Sequence, residues 1–148
     1  MNHTQVVPPH LILEEIEEGR NRTFEMQIGQ KQVLFIRHGQ STANVADDSV
    51  RSTEEYRDAP LTMIGHEQAK ALQDAALSWG VQTVYASPLT RTLQTACLVF
   101  EKCESLRIVA WPVVSELYLQ MPECQGRNVE DLKSSLLLTS LPKFKDVD

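Results

Sequence analysis

Val33-Leu34-Phe35-Ile36-Arg37-His38-Gly39-Gln40-Ser41-Thr42-Ala43-Asn44 is the stretch from which the architecture of this chain is read. A short apolar run that ends in a cation, a histidine and a glycine predicts a buried strand carrying reactive groups at its carboxyl end. That is where ligands bind in open α/β sheets. A neutral imidazole beside a guanidinium suits attack on a phosphoryl group: the cation neutralises the phosphate and the ring supplies the nucleophile. A glycine directly after the histidine lets the backbone approach a phosphate closely.

Outward from this stretch, strand and helix patterns alternate. Residues 44–58 are polar and irregular, with Asp47, Asp48, Ser49 and Arg51, and a loop there would lie over the strand end. Thr62 is a helix N-cap candidate, Ala69, Leu72, Ala76 and Trp79 recur at helical spacing, and Gly80 closes the pattern. Val81-Gln82-Thr83-Val84-Tyr85-Ala86 reads as a second strand. Ser87-Pro88 predicts a cap and a first-turn proline for a helix whose buried face holds Leu89, Leu93, Ala96 and Phe100. Leu106-Arg107-Ile108-Val109-Ala110 predicts a third strand. Such alternation implies a parallel α/β sheet.

Composition narrows the class. A chain of 148 residues suits one domain, and a domain of that size buries about 68–70% of its unfolded surface. Residues 1–30, with Pro8-Pro9 and the acidic stretch Leu11-Ile12-Leu13-Glu14-Glu15-Ile16-Glu17-Glu18, read as a partly disordered arm, and residues 31–148 as the domain. The formal charge of −6 argues against nucleic acid or anionic membrane as a partner. No apolar run approaches a membrane span, and the N-terminus lacks the pattern of a signal peptide. Cys97, Cys103 and Cys124 make an odd count without metal-like spacing, which predicts reduced thiols in a cytoplasmic protein. No metal or cofactor is expected.

Arg37-His38-Gly39-Gln40-Ser41-Thr42-Ala43-Asn44 resembles the R-H-G-x-S/T-x-x-N signature of the histidine phosphatase superfamily, which includes the cofactor-dependent phosphoglycerate mutases. Three matches follow in family order. Asp58-Ala59-Pro60-Leu61-Thr62-Met63-Ile64-Gly65 with Gln68 resembles the D-x-P-L-T-x-x-G-x-x-Q block. Ser87-Pro88-Leu89-Thr90-Arg91-Thr92-Leu93-Gln94-Thr95-Ala96 resembles the S-P-L-x-R-x-x-Q-T-A block. Glu116 falls where the family keeps an acidic residue, and Pro122-Glu123-Cys124 resembles a turn that follows it. The resemblance implies a three-layer α/β fold of the phosphoglycerate mutase type with a parallel sheet.

It also implies roles. His38 would be the nucleophile that becomes a phosphohistidine, and Glu116 the proton donor, then the base. Arg37 and Arg91 would clamp the phosphate oxygens, because planar guanidinium donors match that geometry. Asn44 would donate its amide to the phosphate, or serve as a turn residue, while Gln40 and Ser41 would line the pocket or cap the following turn. Arg127 after Gly126 reads as a cation over the site or, more simply, a solvated arginine. His66 reads as a capping or surface residue, Cys124 as buried rather than nucleophilic, and Trp79 and Trp111 as packing residues.

The family uses a second histidine beyond the acidic residue. The histidines here are His3, His10, His38 and His66, so none lies after Glu116. The chain therefore reads as C-terminally truncated, with its fold incomplete there. Loss of one transition-state donor costs about 3–4 kcal/mol, a factor of about 10²–10³ in rate, which predicts weak activity. An unpaired edge at the first strand would favour self-association. Three readings follow: a phosphatase acting on a small phosphorylated substrate, a non-catalytic phosphate-binding module, and an inactive truncated product. Within the enzyme class, phosphatase is favoured over mutase because the pocket loops show no basic cluster for a second phosphate.

Overall fold

A computed structural model describes residues 33–116 and 121–148. The chain divides into two units, Met1–Arg37 and His38–Asp148. The N-terminal arm and its acidic stretch lie outside the described residues.

Of the first unit, residues 33–37 are described, and they correct the expected buried strand. Val33, Leu34 and Phe35 are 64%, 42% and 55% exposed, and no residue of the run is in strand conformation. An apolar run becomes a strand only when a neighbour takes up its N–H and C=O groups. No ladder among the described residues includes this one.

In the second unit, β1 (Thr83–Ala86) and β2 (Arg107–Ala110) pair in parallel, with Val84 opposite Ile108 and Ala86 opposite Ala110. Val147 adds a parallel bridge to Ile108, and the Ala110 and Asp148 backbones exchange a bond of 2.8 Å. The helix Thr90–Val99 crosses between the two strands and is the centre of the core. Leu93, Cys97 and Val99 on it are fully buried, together with Ile108 and Leu138 from its neighbours. Burial pushes the Cys97 thiol up to about 12, so it is inert packing.

The other elements cover this core. The helices are α1 (Thr42–Val45), α2 (Asp48–Arg51), α3 (Met63–Ala71), α4 (Gln73–Ser78), α5 (Thr90–Val99), α6 (Val129–Ser134) and α7 (Leu136–Thr139). The irregular stretch expected after Asn44 contains two short helical segments, α2 and a 3₁₀ turn at Glu54–Tyr56. The single helix expected between Thr62 and Gly80 is two, because the backbone turns at Leu72. Thr62 caps α3 by accepting from the Gly65 N–H at 3.1 Å, and Gly80 follows the end of α4 at φ +64°. Trp79 packs edge-on against Phe100 with ring centroids 6.1 Å apart, and Trp111 lies 5.1 Å from Tyr85. Lys143 is buried and donates to the carbonyls of Cys103 and Glu104, tying the turn after α5 to the Pro142–Asp146 turn. No helix among the described residues is long and apolar enough to cross a membrane.

The start of α5 departs from expectation. Its N-cap is Leu89, and the Ser87 hydroxyl pairs with that of Ser115 at 2.8 Å and accepts from the Leu89 N–H at 3.4 Å, ahead of the helix. The effective cap comes from far along the chain. Asp58, fully buried, accepts from the Thr90 N–H at 2.7 Å and from its hydroxyl at 2.5 Å. A carboxylate there satisfies an orphan amide and suits the positive end of the helix.

Candidate active site

Three stretches of chain meet at His38. The residue opens the second unit, Arg91 stands in the first turn of α5, and Glu116 follows the Pro112–Val114 turn after β2. Arg91 Nε donates to His38 Nε2 at 3.2 Å, and Arg91 Nη2 reaches Glu116 Oε2 at 3.4 Å. Glu116 Oε1 lies 4.0 Å from His38 Nε2. The His38 side chain is 8% exposed, whereas that of Glu116 is 50% exposed, so the acid stands at the mouth of the site.

The hydrogen bonds define the tautomer of the neutral ring. His38 Nδ1 lies 2.7 Å from the Gly39 carbonyl oxygen, which can only accept, so Nδ1 carries the proton. A guanidinium can only donate, so Nε2 presents its lone pair toward Arg91. The ring nitrogen that presents its lone pair is therefore Nε2, the one that faces both the cation and the acid.

Buried groups of α5 hold the loop that carries His38. The Thr95 hydroxyl accepts from the Gly39 N–H at 3.1 Å and donates to the Arg91 carbonyl at 2.8 Å. Gln94 accepts from the Leu61 N–H at 2.8 Å and donates to the Leu137 carbonyl. Helix α3 presses on the same loop. A Cβ on Gly39 would sit 2.5 Å from the Gly65 carbonyl oxygen, and one on Gly65 would overlap the Gln40 carbonyl. Only two glycines permit that approach.

Gln40, Ser41 and Asn44 are engaged in shaping this loop. The Ser41 hydroxyl accepts from the Asn44 N–H at 3.3 Å, and Asn44 Oδ1 accepts from the Ser41 N–H at 3.0 Å, a reciprocal cap on α1. Gln40 accepts from the Thr62 hydroxyl at 2.8 Å, and its N–H donates to Gln68. Arg37 belongs to the first unit and is exposed.

The site also contains residues that sequence reasoning did not place in it firmly. Arg91 Nη1 donates to the Glu123 carbonyl at 2.5 Å, and the Cys124 thiol donates to Glu116 Oε2 at 3.1 Å. Arg51 Nε lies 3.4 Å from the Glu123 carboxylate. Arg127 is not a merely solvated arginine: its Nε lies 3.3 Å from the buried Asp58. For Gln94 and Thr95 the available signal was their place in the Ser87–Ala96 block. Glu123 and Cys124 were visible only as a turn after Glu116 and Arg127 only as a cation over the site, because their contacts form when the chain reverses.

Desolvation pushes the Asp58 carboxyl up from its ordinary range, against the Thr90 bonds and the Arg127 and Arg91 charges that pull it down. The native state therefore holds this proton to higher pH than the unfolded chain does. Its contribution is present below the ordinary aspartate range and is lost as pH rises through the raised value. Asp58→Asn mimics the protonated form and tolerates the residue's φ of +50°. Its urea midpoint, compared with wild type, is expected to improve between about pH 4 and about pH 7. Parallel profiles would contradict this account.

Comparison with known sequences agrees with the geometry. A profile of the histidine phosphatase superfamily (branch 1) matches residues 33–139. A probable phosphoglycerate mutase GpmB of Yersinia enterocolitica is 33% identical over 101 residues, covering 68% of this chain and 44% of that protein. A probable phosphoglycerate mutase GpmB of Photorhabdus laumondii is 32% identical over 103 residues, covering 70% of this chain and 45% of the relative. One from Proteus mirabilis is 36% identical over 72 residues, 49% of this chain and 32% of the relative. The chain thus spans less than half the length of these curated relatives. With its signature histidine, α5 arginine and acidic residue drawn together and a profile match over most of its length, this chain belongs to the histidine phosphatase superfamily.

Proposed function

We propose that this chain carries a phosphoryl-transfer site that hydrolyses a phosphomonoester through a phosphohistidine at His38. The observation that carries the reading is the convergence on His38 Nε2 of the Arg91 guanidinium at 3.2 Å and the Glu116 carboxyl at 4.0 Å. Arg91 takes up phosphate oxygens through its guanidinium donors. The side-chain amide of Asn44 is a further donor that the signature supplies, with Gln40 and Ser41 shaping its loop.

In the first step the Nε2–P bond forms as the ester P–O bond breaks, and Glu116 gives its proton to the leaving oxygen. In the second, a water oxygen attacks phosphorus and loses its proton to Glu116. The N–P bond breaks, its electron pair returns to Nε2, and inorganic phosphate leaves. Both steps are general acid–base catalysis of nucleophilic transfer. None of this sequence's four histidines lies beyond Glu116, and turnover by this chain alone is expected to be slow.

Trapping tests the reading. Protein quenched in alkali during turnover of p-nitrophenyl phosphate is expected to carry one phosphoryl group on His38, located by mass spectrometry of its peptides. The P–N bond survives alkali and is lost in acid. Phosphate on another residue, or none, would overturn the proposal. A non-catalytic module would instead bind inorganic phosphate in a salt-sensitive way without labelling. Mutase activity is the alternative within the enzyme class, read as transfer of the label to a second hydroxyl of a phosphoglycerate.

A further inference from the structure

We propose that the Cys124 thiol is a positioning residue for Glu116, and that it makes Oε1 the oxygen through which the acid exchanges its proton. The inference rests on the reading of His38 and Glu116 given above.

The two oxygens of Glu116 have different surroundings. Oε2 accepts from the Cys124 thiol at 3.1 Å and lies 3.4 Å from Arg91 Nη2. Oε1 lies 4.0 Å from His38 Nε2, the side from which the ester approaches. Two donors on one oxygen leave it no reason to carry a proton, so the neutral acid places its O–H on Oε1. From there the proton passes to the leaving oxygen as the P–O bond breaks. It returns to Oε1 from the attacking water in the second step.

The thiol is a permanent donor. Burial first, and then its bond to Glu116, pushes it up to about 11, so it stays protonated across the neutral range. Its placement is coupled to the phosphate clamp. Cys124 ends the Pro122–Cys124 turn, the adjacent Glu123 carbonyl accepts from Arg91 Nη1 at 2.5 Å, and the Pro122 carbonyl accepts from the Asp58 N–H at 3.2 Å. One short turn thus aligns the acid, the cation and the cap of α5. A half-exposed glutamate on an irregular segment has many rotamers, and this contact selects one of them.

Leaving groups separate positioning from bulk stability. A nitrophenolate leaves with little help from an acid, whereas an alkoxide needs its proton. Cys124→Ala is expected to lower turnover of glycerol 3-phosphate about tenfold more than turnover of p-nitrophenyl phosphate, the size expected for a lost weak donor to a charged group. Cys124→Ser, which keeps a donor, is expected to restore most of that ratio. Equal losses on both esters, or no recovery with serine, would overturn the proposal.

A second measurement does not depend on turnover. The infrared S–H stretch of Cys124, isolated as wild type minus Cys124→Ala, is expected to move to higher frequency in Glu116→Ala. An unmoved band would show that the bond does not form, whatever the activity. Protein that turns over neither ester would overturn the phosphatase reading itself, leaving the infrared result to judge the contact.

Discussion

Replacing His38 by alanine is expected to lower turnover of p-nitrophenyl phosphate by at least about a thousandfold, to the level of the assay blank. In the proposed reaction His38 forms the only covalent bond to the transferred group, so no neighbour substitutes for it. Arg91 and Glu116 lie close enough to assist but cannot replace a nitrogen lone pair. Binding of inorganic phosphate is expected to weaken by less than about tenfold, because Arg91, the donor proposed for it, keeps its contacts to Glu116 and the Glu123 carbonyl. Calorimetric titration beside the turnover assay checks both halves. Equal turnover by the two proteins would sink the catalytic reading. Retained phosphate binding in that case would favour a binding module.

Gly65→Ala carries the second large effect, on folding. Alanine is the better helix former by about 1 kcal/mol, so propensity alone predicts a more stable α3. The tertiary contact predicts the reverse. The new Cβ would overlap the Gln40 carbonyl, which is backbone and cannot rotate away as a side chain would. Separating helix from loop strains the Gln40 N–H bond to Gln68, the Thr62 hydroxyl bond to Gln40 and the alignment of Gly39 on Thr95. The net loss is expected to be about 3 kcal/mol, at the upper end of overpacking costs. In a domain of this size it should appear as a melting temperature lower by roughly 10 °C. An unchanged or higher melting temperature would mean that the crossing is looser than described.

The two substitutions mark how far sequence reasoning reached. The helix Thr90–Val99 and its buried face were legible because Leu89, Leu93, Ala96 and Phe100 follow the helical period. The paired strands were legible because β-branched residues cluster between turn signals. His38, Arg91 and Glu116 were legible through ordered motifs, and the structure draws all three together. The first strand was not secured by its pattern. Residues 33–36 have the apolar composition of a buried strand, but a ladder needs a neighbour and composition does not supply one. The cap of α5 was misassigned to Ser87-Pro88 for a related reason. The better acceptor, Asp58, is remote in sequence and meets Thr90 only after the chain has folded back.

By itself the sequence determined the family, the helical and strand periods around the core, and which histidine, arginine and glutamate are the candidates for the site. Those properties depend on residue type and near-neighbour spacing, which a linear chain carries in full. Tertiary structure alone decided that Nε2 rather than Nδ1 faces Arg91, that Gly39 and Gly65 meet backbone to backbone, and that the Cys124 thiol holds one oxygen of Glu116. Each of those is a directional contact of a few ångströms between distant segments. Directional contacts exist only once burial has brought the segments together and left their polar groups no water to turn to.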